Sequence, residues 1–415
     1  MLVAVFLLFV IGAMAALSID VVTLYTARSE AQLAADSAAL AAARVLANSG
    51  MTSDTTGVLV SSAEQLAKNV AIQVATYNYV GGRKLSTANN EVTVTFNNGS
   101  ATTATMVPNP HVTVIVQRTD LPTFFARMWG WTQIAVAASA TAEAYNPSSA
   151  PGATTSATTP VAPMCVKPWL LPNMAPRGYP DIFNKTTGAI DNTSLLGWSY
   201  TDVPAAPLMS MATSNVPSAW NFYPGDQSSF PPPGSALPSC ATTLPNPYQQ
   251  SIAGCVQTSI SCNSTATVSY QWTGADFNTT ADAVNCLTHS SNNEGDQLTS
   301  TNPPTGPFQF IAGADNPLVQ DGAIAAGTEI MVSDSLVTVP VFDNTSSPFI
   351  GPNTQVQIIG FVQLFLNPSG TASPPGTDTV PATVVNLAGC GYNATGTPIL
   401  GNGASPVAVR LITPP

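Results

Sequence analysis

The chain has 415 residues, enough at roughly 150 residues per domain for two or three domains, and a net charge of -11 with only 11 Lys and Arg. Charged residues are 8% of the total against about 25% in an ordinary soluble domain, so Ser, Thr, Asn and Gln carry the surface. So few cations argue against a nucleic-acid partner, and 36 Pro with 29 Gly are too few for collagen or wholesale disorder, predicting instead many turns and short strands.

Residues 1–17 (MLVAVFLLFVIGAMAAL) hold no charged side chain. At about 1.5 Å per residue they span roughly 26 Å, slightly short of a hydrocarbon core of about 30 Å. With help from the next few residues they are expected to form a transmembrane helix over residues 1–22, which makes lipid the first predicted partner. The competing reading is a secretory signal cleaved at the A-x-A pattern Ala13-Met14-Ala15. The missing basic stretch ahead of the apolar run and the unbroken helical pattern behind it favour the anchor. Either way the rest of the chain crosses a membrane.

Residues 18–48 lack Pro and Gly and are dominated by alanine, the best helix former, so one helix should continue from the span to Asn48-Ser49-Gly50. Its small residues, Ala35, Ala38 and Ala42 among them, make a face that lets another element approach closely. That element is either the chain's own domain or a second subunit. Asp20 and Tyr25 join these alanines as candidate helix-interaction residues. Asp20 lies where the apolar run ends, placed for the lipid headgroup level or for a polar contact between membrane helices.

Ser61 to Glu64 reads as a capping box for a second helix through Val80, stopped by Gly81-Gly82. The period then changes to alternation, predicting strands over residues 91–96 and 111–118, a short helix over 121–129 with Pro122 in its first turn, and a long strand over 132–145. Together with the stalk, residues 18–146 are expected to form a small α+β domain. Residues 147–164, rich in Pro, Ser and Thr and uncharged, read as a linker. Residues 165–415 read as a β-rich domain with strands over 266–272, 329–342, 355–366, 382–387 and 407–412. The predicted class is therefore α+β: a membrane-anchoring helix on a small α+β domain, followed by a β-rich, disulfide-containing domain.

All six cysteines, Cys165, Cys240, Cys255, Cys262, Cys286 and Cys390, fall in this last region. An even count behind an export segment points to structural disulfides in an oxidising compartment, with the pairing open. Zinc is disfavoured because no Cys-x-x-Cys occurs. No catalytic or cofactor-binding motif is present, so no enzyme activity, cofactor or metal is expected. His111 lies in an alternating strand and His289 in a polar loop, and Glu294, Asp296, Asp315 and Asp321 have no calcium-loop order.

Residues 17–47 (LSIDVVTLYTARSEAQLAADSAALAAARVLA), with Ile19-Asp20-Val21, Leu24-Tyr25, Arg28, Leu33 and the run Ala35 to Ala43, resemble the opening of the TadG-like family of the bacterial tight-adherence (Flp) pilus-assembly system. Further similarity lies in Leu121-Pro122-Thr123-Phe124-Phe125-Ala126-Arg127, in Ser139 to Ala144, and in Val337 to Asp343. The resemblance implies a membrane-anchored, non-enzymatic component of pilus assembly or associated secretion. Its partners would be other pilus-assembly or envelope proteins, and it would cross the inner membrane once with its bulk extracytoplasmic. The family's basic, Gly-containing segment ahead of the apolar run does not stand here, so prepilin-peptidase processing is not part of the expectation. A secreted binding module or adhesin freed by signal cleavage is the alternative.

Overall fold

The computed structural model describes residues 2–97, 109–149, 159–174, 181–191, 195–197, 209–210, 220–221, 223–224, 239–244, 247–256, 258–268, 282–289, 294–299, 304–345, 354–366, 382–401 and 405–412. Helix α1 (Leu2–Asn48) runs without interruption from the apolar segment into the alanine-rich one and ends before Gly50, which takes φ 81°. From Ala27 onward one side of it is core. Ala31, Ala34, Ala35, Ala38, Ala39, Ala42 and Ala43 are fully buried, and with no side chain beyond Cβ they let a sheet and a second helix approach the α1 backbone closely.

That second helix, α2 (Val60–Tyr77), meets α1 through Ala63, Ala67, Ala71 and Ala75, one residue per turn on a single stripe. Its start differs from the predicted capping box: Leu59 occupies the cap position and makes no side-chain cap. Instead the carboxylate of Asp54 accepts the N–H groups of Leu59 (2.9 Å) and Thr56 (2.8 Å), satisfying the entry from outside the helix. The helix also stops at Tyr77 rather than Val80. Gly81 (φ 58°) and Gly82 (φ 86°) form a two-residue turn with both central residues left-handed, pairing β1 (Tyr79–Val80) with β2 (Arg83–Lys84). A Cβ on Gly81 would also collide with Leu121, so conformation and space both require glycine there.

Strands β3 (Val92–Asn97), β4 (His111–Pro122) and β5 (Gln133–Tyr145) follow. Along β4, Val112, Val114 and Val116 are buried while the residues between them are partly or fully exposed, the period-2 pattern of a sheet covered on one face. The helix predicted over 121–129 is mostly absent. After a bulge beyond Arg118 the β4–β5 register resumes at Leu121 with Ile134 and Pro122 with Gln133, leaving only a 3₁₀ turn at Ala126–Trp129.

Later strands are β6 (Val161–Ala162), β7 (Trp169–Pro172), β8 (Met209–Ser210), β9 (Trp220–Asn221), β10 (Tyr223–Pro224), β11 (Thr265–Val268), β12 (Gln297–Thr299), β13 (Gln309–Ile311), β14 (Glu329–Ile330), β15 (Leu336–Phe342), β16 (Thr354–Leu366), β17 (Ala382–Gly389), β18 (Ile399–Leu400) and β19 (Ala408–Ile412). The single strand expected over 329–342 is thus two, because Ser333 between them turns to donate its hydroxyl to Asp296 (2.6 Å). Trp272, at the end of another expected strand, lies outside the described residues.

The first sheet has the order β19-β5-β4-β3, all antiparallel, so its fourth strand comes from residues far beyond 146. Arg410 on β19 seals that addition by donating to Glu143 on β5 (2.8 Å). The larger sheet has the order β10-β7-β15-β16-β11, with β17 also on β16. All of β15 and β17 is buried, which explains their continuous apolar runs. Three disulfides join Cys165 to Cys255, Cys240 to Cys286 and Cys262 to Cys390. Spanning 90, 46 and 128 residues of sequence, each stabilises by on the order of 4–5 kcal/mol in the chain-entropy account.

Buried polar groups connect the end of α1 to the larger sheet. Asn386 on β17 donates to Ala47 O (2.7 Å) and Gln363 Oε1 (2.6 Å), and Asn146 donates to Leu387 O (2.9 Å). Ser53 accepts from the Leu387 N–H (2.9 Å), and Ser148 from the Gly389 N–H (2.7 Å). The described ends of the expected linker are docked: Ser148 is buried, and β6 pairs with β18.

Replacing Ala38 by Leu is expected to destabilise the detergent-solubilised protein by about 1–3 kcal/mol through overpacking, while Leu33→Ala, at an exposed position of the same helix, leaves thermal unfolding nearly unchanged.

A second expectation concerns Lys167. It is buried beside the Cys165–Cys255 bridge and donates to Ile252 O (2.6 Å) and Gly254 O (2.9 Å). Desolvation lowers its pKa from 10.5 to about 7, opposed only by the charge of Asp334. Between those two values the unfolded chain binds a proton that the folded one does not. Stability from this group is therefore lowest below pH 7 and rises with pH, by up to about 1.4 kcal/mol per unit. Denaturant titrations at pH 7 and pH 9 should show that rise, and Lys167→Met should remove it.

Candidate functional site

Helix α1 divides by exposure. Ahead of Leu24 its described large apolar side chains project outward: Val3, Leu7, Phe9, Ile11, Met14, Leu17, Ile19 and Val22 are all exposed. The helix is long and apolar enough to cross a membrane, with mean hydropathy 1.8 over an 18-residue stretch within Phe9–Asn48.

The change from uncovered to covered helix occurs at Asp20. Its carboxylate is buried and accepts three backbone N–H groups, from Phe124 (2.8 Å), Phe125 (3.0 Å) and Ala126 (2.7 Å). These belong to the connection between β4 and β5, so the tip of the longest hairpin is held on the helix by one side chain. The tip is closed from within: Trp131 N–H bonds Ala126 O (3.2 Å), Gly130 takes φ 89°, and the Thr123 hydroxyl donates to Trp131 O. Between tip and helix lies a cleft of about 340 Å³ lined by Leu17, Asp20, Val21, Leu24, Ala126, Trp131 and Ile134. It is almost wholly apolar. Phe124 and Trp131 stand on the outer side of the tip, 61% and 64% exposed.

Behind the tip an ion cluster fixes the hairpin. Buried Arg118 donates to Asp120 Oδ1 (2.8 Å), to Gly81 O (2.8 Å) and to Val80 O. Arg83 reaches Asp120 (2.9 Å) and pairs with Glu91. The hydrogen bond from Arg118, and after it that from Arg83, hold the Asp120 carboxyl below its ordinary pKa; Arg83 does the same for Glu91.

The residues singled out in the sequence do not converge on one site. Asp20 meets its own chain's hairpin rather than another helix. Ala35, Ala38 and Ala42 are packed inside the chain's own core, whereas Tyr25 is exposed. The cysteines are paired in the larger unit. His111 Nε2 lies 3.4 Å from Glu143 and His289 Nε2 lies 2.9 Å from Asp334, on separate parts of the fold. Asp296 uses its oxygens on Gly313, Asn316 and Ser333, and among the described residues no three His, Cys, Asp or Glu side chains gather as metal ligands. Sequence reasoning passed over Phe124 and Trp131. The signal was there: residues 124–131 (FFARMWGW) hold four aromatics in a chain that is 7% aromatic.

Comparison with known families places this segment. Residues 1–45 match the Tad family, described as Flp pilus-assembly TadE/G-like. The TadE/G-like match covers nearly all of α1, both the uncovered apolar half and the alanine half, and stops before the junction with the larger sheet. No curated protein and no solved structure matches the chain.

Replacing Asp20 in this TadE/G-like helix by Ala leaves three N–H groups of the tip without their acceptor. Limited trypsinolysis should then cut after Arg127 markedly faster than in the parent, with unchanged cleavage in the disulfide-linked part.

Proposed function

We propose that the chain is a single-pass, membrane-anchored, non-enzymatic component of Flp/Tad-type pilus assembly, or of the secretion and adhesion associated with it. The single observation that carries this reading is the coincidence of the TadE/G-like match with a helix that is bare and apolar at its start and core-forming at its end. An apolar face left uncovered over about five turns is stable in lipid and costly in water, so the first half of α1 acts as the anchor.

The three disulfides support an oxidising compartment for everything beyond the anchor. That orients the N-terminus to the cytoplasm and the bulk outside it, in the inner membrane. An acidic, weakly charged surface with engaged histidines supports a role through contacts with other pilus or envelope proteins rather than through chemistry.

Membrane fractionation with protease protection tests this. The full chain is expected in the membrane fraction, resistant to alkaline carbonate, with its cysteines unreactive to maleimide until reduced and its bulk digested from the extracytoplasmic side only. Recovery of intact chain as a soluble cytoplasmic protein with free thiols would refute the reading. N-terminal sequencing of the mature protein should also find residues ahead of Ala15 retained.

A further inference from the structure

We infer that the β4–β5 hairpin tip, residues 123–132, is a second membrane contact: it rests in the headgroup layer of the leaflet through which α1 leaves the bilayer, with Phe124 and Trp131 facing lipid and an acyl chain seated in the cleft between tip and helix. The inference deepens the membrane-anchored reading and rests on it.

Depth along α1 places the tip. Asp20 is three residues beyond Leu17, about 5 Å along the helix axis, and the headgroup layer outside the hydrocarbon is roughly 5–8 Å thick on each side. Whatever Asp20 holds is therefore at headgroup depth, and it holds Phe124, Phe125 and Ala126 by their backbones.

Composition fits that depth. Aromatic side chains with exposed faces are favoured where an apolar body meets a wet boundary, and Phe124, Trp131 and, one turn further along α1, Tyr25 are the large exposed aromatics here. Arg127 is exposed in the tip itself and suits a lipid phosphate; the acids nearby are engaged, Asp20 with the tip and Glu30 with the Gly81 N–H (2.7 Å). The cleft is continuous with the anchor, since Leu17 and Val21 form one of its walls.

The probe is the full chain reconstituted in phosphatidylethanolamine–phosphatidylglycerol vesicles, with tryptophan emission compared between the parent and Trp131→Phe. The difference signal belongs to Trp131, an exposed position where Phe preserves the fold. We expect it to be quenched by lipids brominated near the glycerol end of the acyl chain at least about twofold more than by lipids brominated near the methyl end, as for an interfacial aromatic. If the protein floats with the vesicles and the difference signal is quenched by neither, the inference is wrong and the anchor stands. Quenching that is instead strongest from the methyl end also overturns it. If the protein does not float with the vesicles, the anchored reading itself falls and the inference with it.

Discussion

The architecture depends on how closely other elements can approach one helix. Helix α1 is about 70 Å long at 1.5 Å per residue, and along its second half it contacts α2 on one side and the β4–β5 face on another. Only a run of alanines permits both contacts at backbone distance. A leucine in place of Ala35 or Ala39 would separate the layers, and the buried valines of β4 would lose contact across the gap. The same alanines make the segment a strong helix former by itself, so local propensity and tertiary packing agree. Helix α1 thereby becomes the central strut of the folded body, not a tether to it.

A strut transmits position only if its far end is fixed, and a buried polar network fixes it. Ala47 O, Ser53, Asn146 and Ser148 are all joined to β17, whose Asn386 in turn reaches Gln363 on β16, at positions without solvent access. Each bond contributes modestly, but removing one partner leaves a buried donor or acceptor unsatisfied. The β19 strand adds a second tie, because the chain's far end completes the first sheet beside β5. The strand β19 and the buried junction thus tie the two sheets together.

Much of this was legible from local pattern. The helix over α1, the alternation in β3, β4 and β5, and the apolar runs of β15, β16 and β17 each carry their own periodic signal. The larger departures came from contacts distant in sequence. Asp20 and Phe124 are 104 residues apart and Asn386 and Ala47 are 339 apart, so neither bond has a local signature. Leu121-Pro122 looked helical because Pro favours a first helical turn, yet pairing with β5 across the bulge outweighed that preference. At Gly81-Gly82 the glycine pair suits a helix stop, but two consecutive left-handed residues between β-formers are equally the signal of a tight hairpin.

The stabilising devices are unevenly distributed. The first sheet and the helices packed on it contain no cysteine and rely on alanine packing, the Arg83–Arg118–Asp120 ion cluster and the Asp20 contact. A long alanine helix forms on local propensity, so its neighbours condense on a preformed surface and need no covalent staple. The larger sheet is built from residues beyond β5. That part of the chain is rich in turns and short strands, and its loops must be closed without such a template, which is where long-range disulfides reduce the entropy of the unfolded chain most. The chain therefore passes from a helix-templated fold to a disulfide-supported one beyond β5.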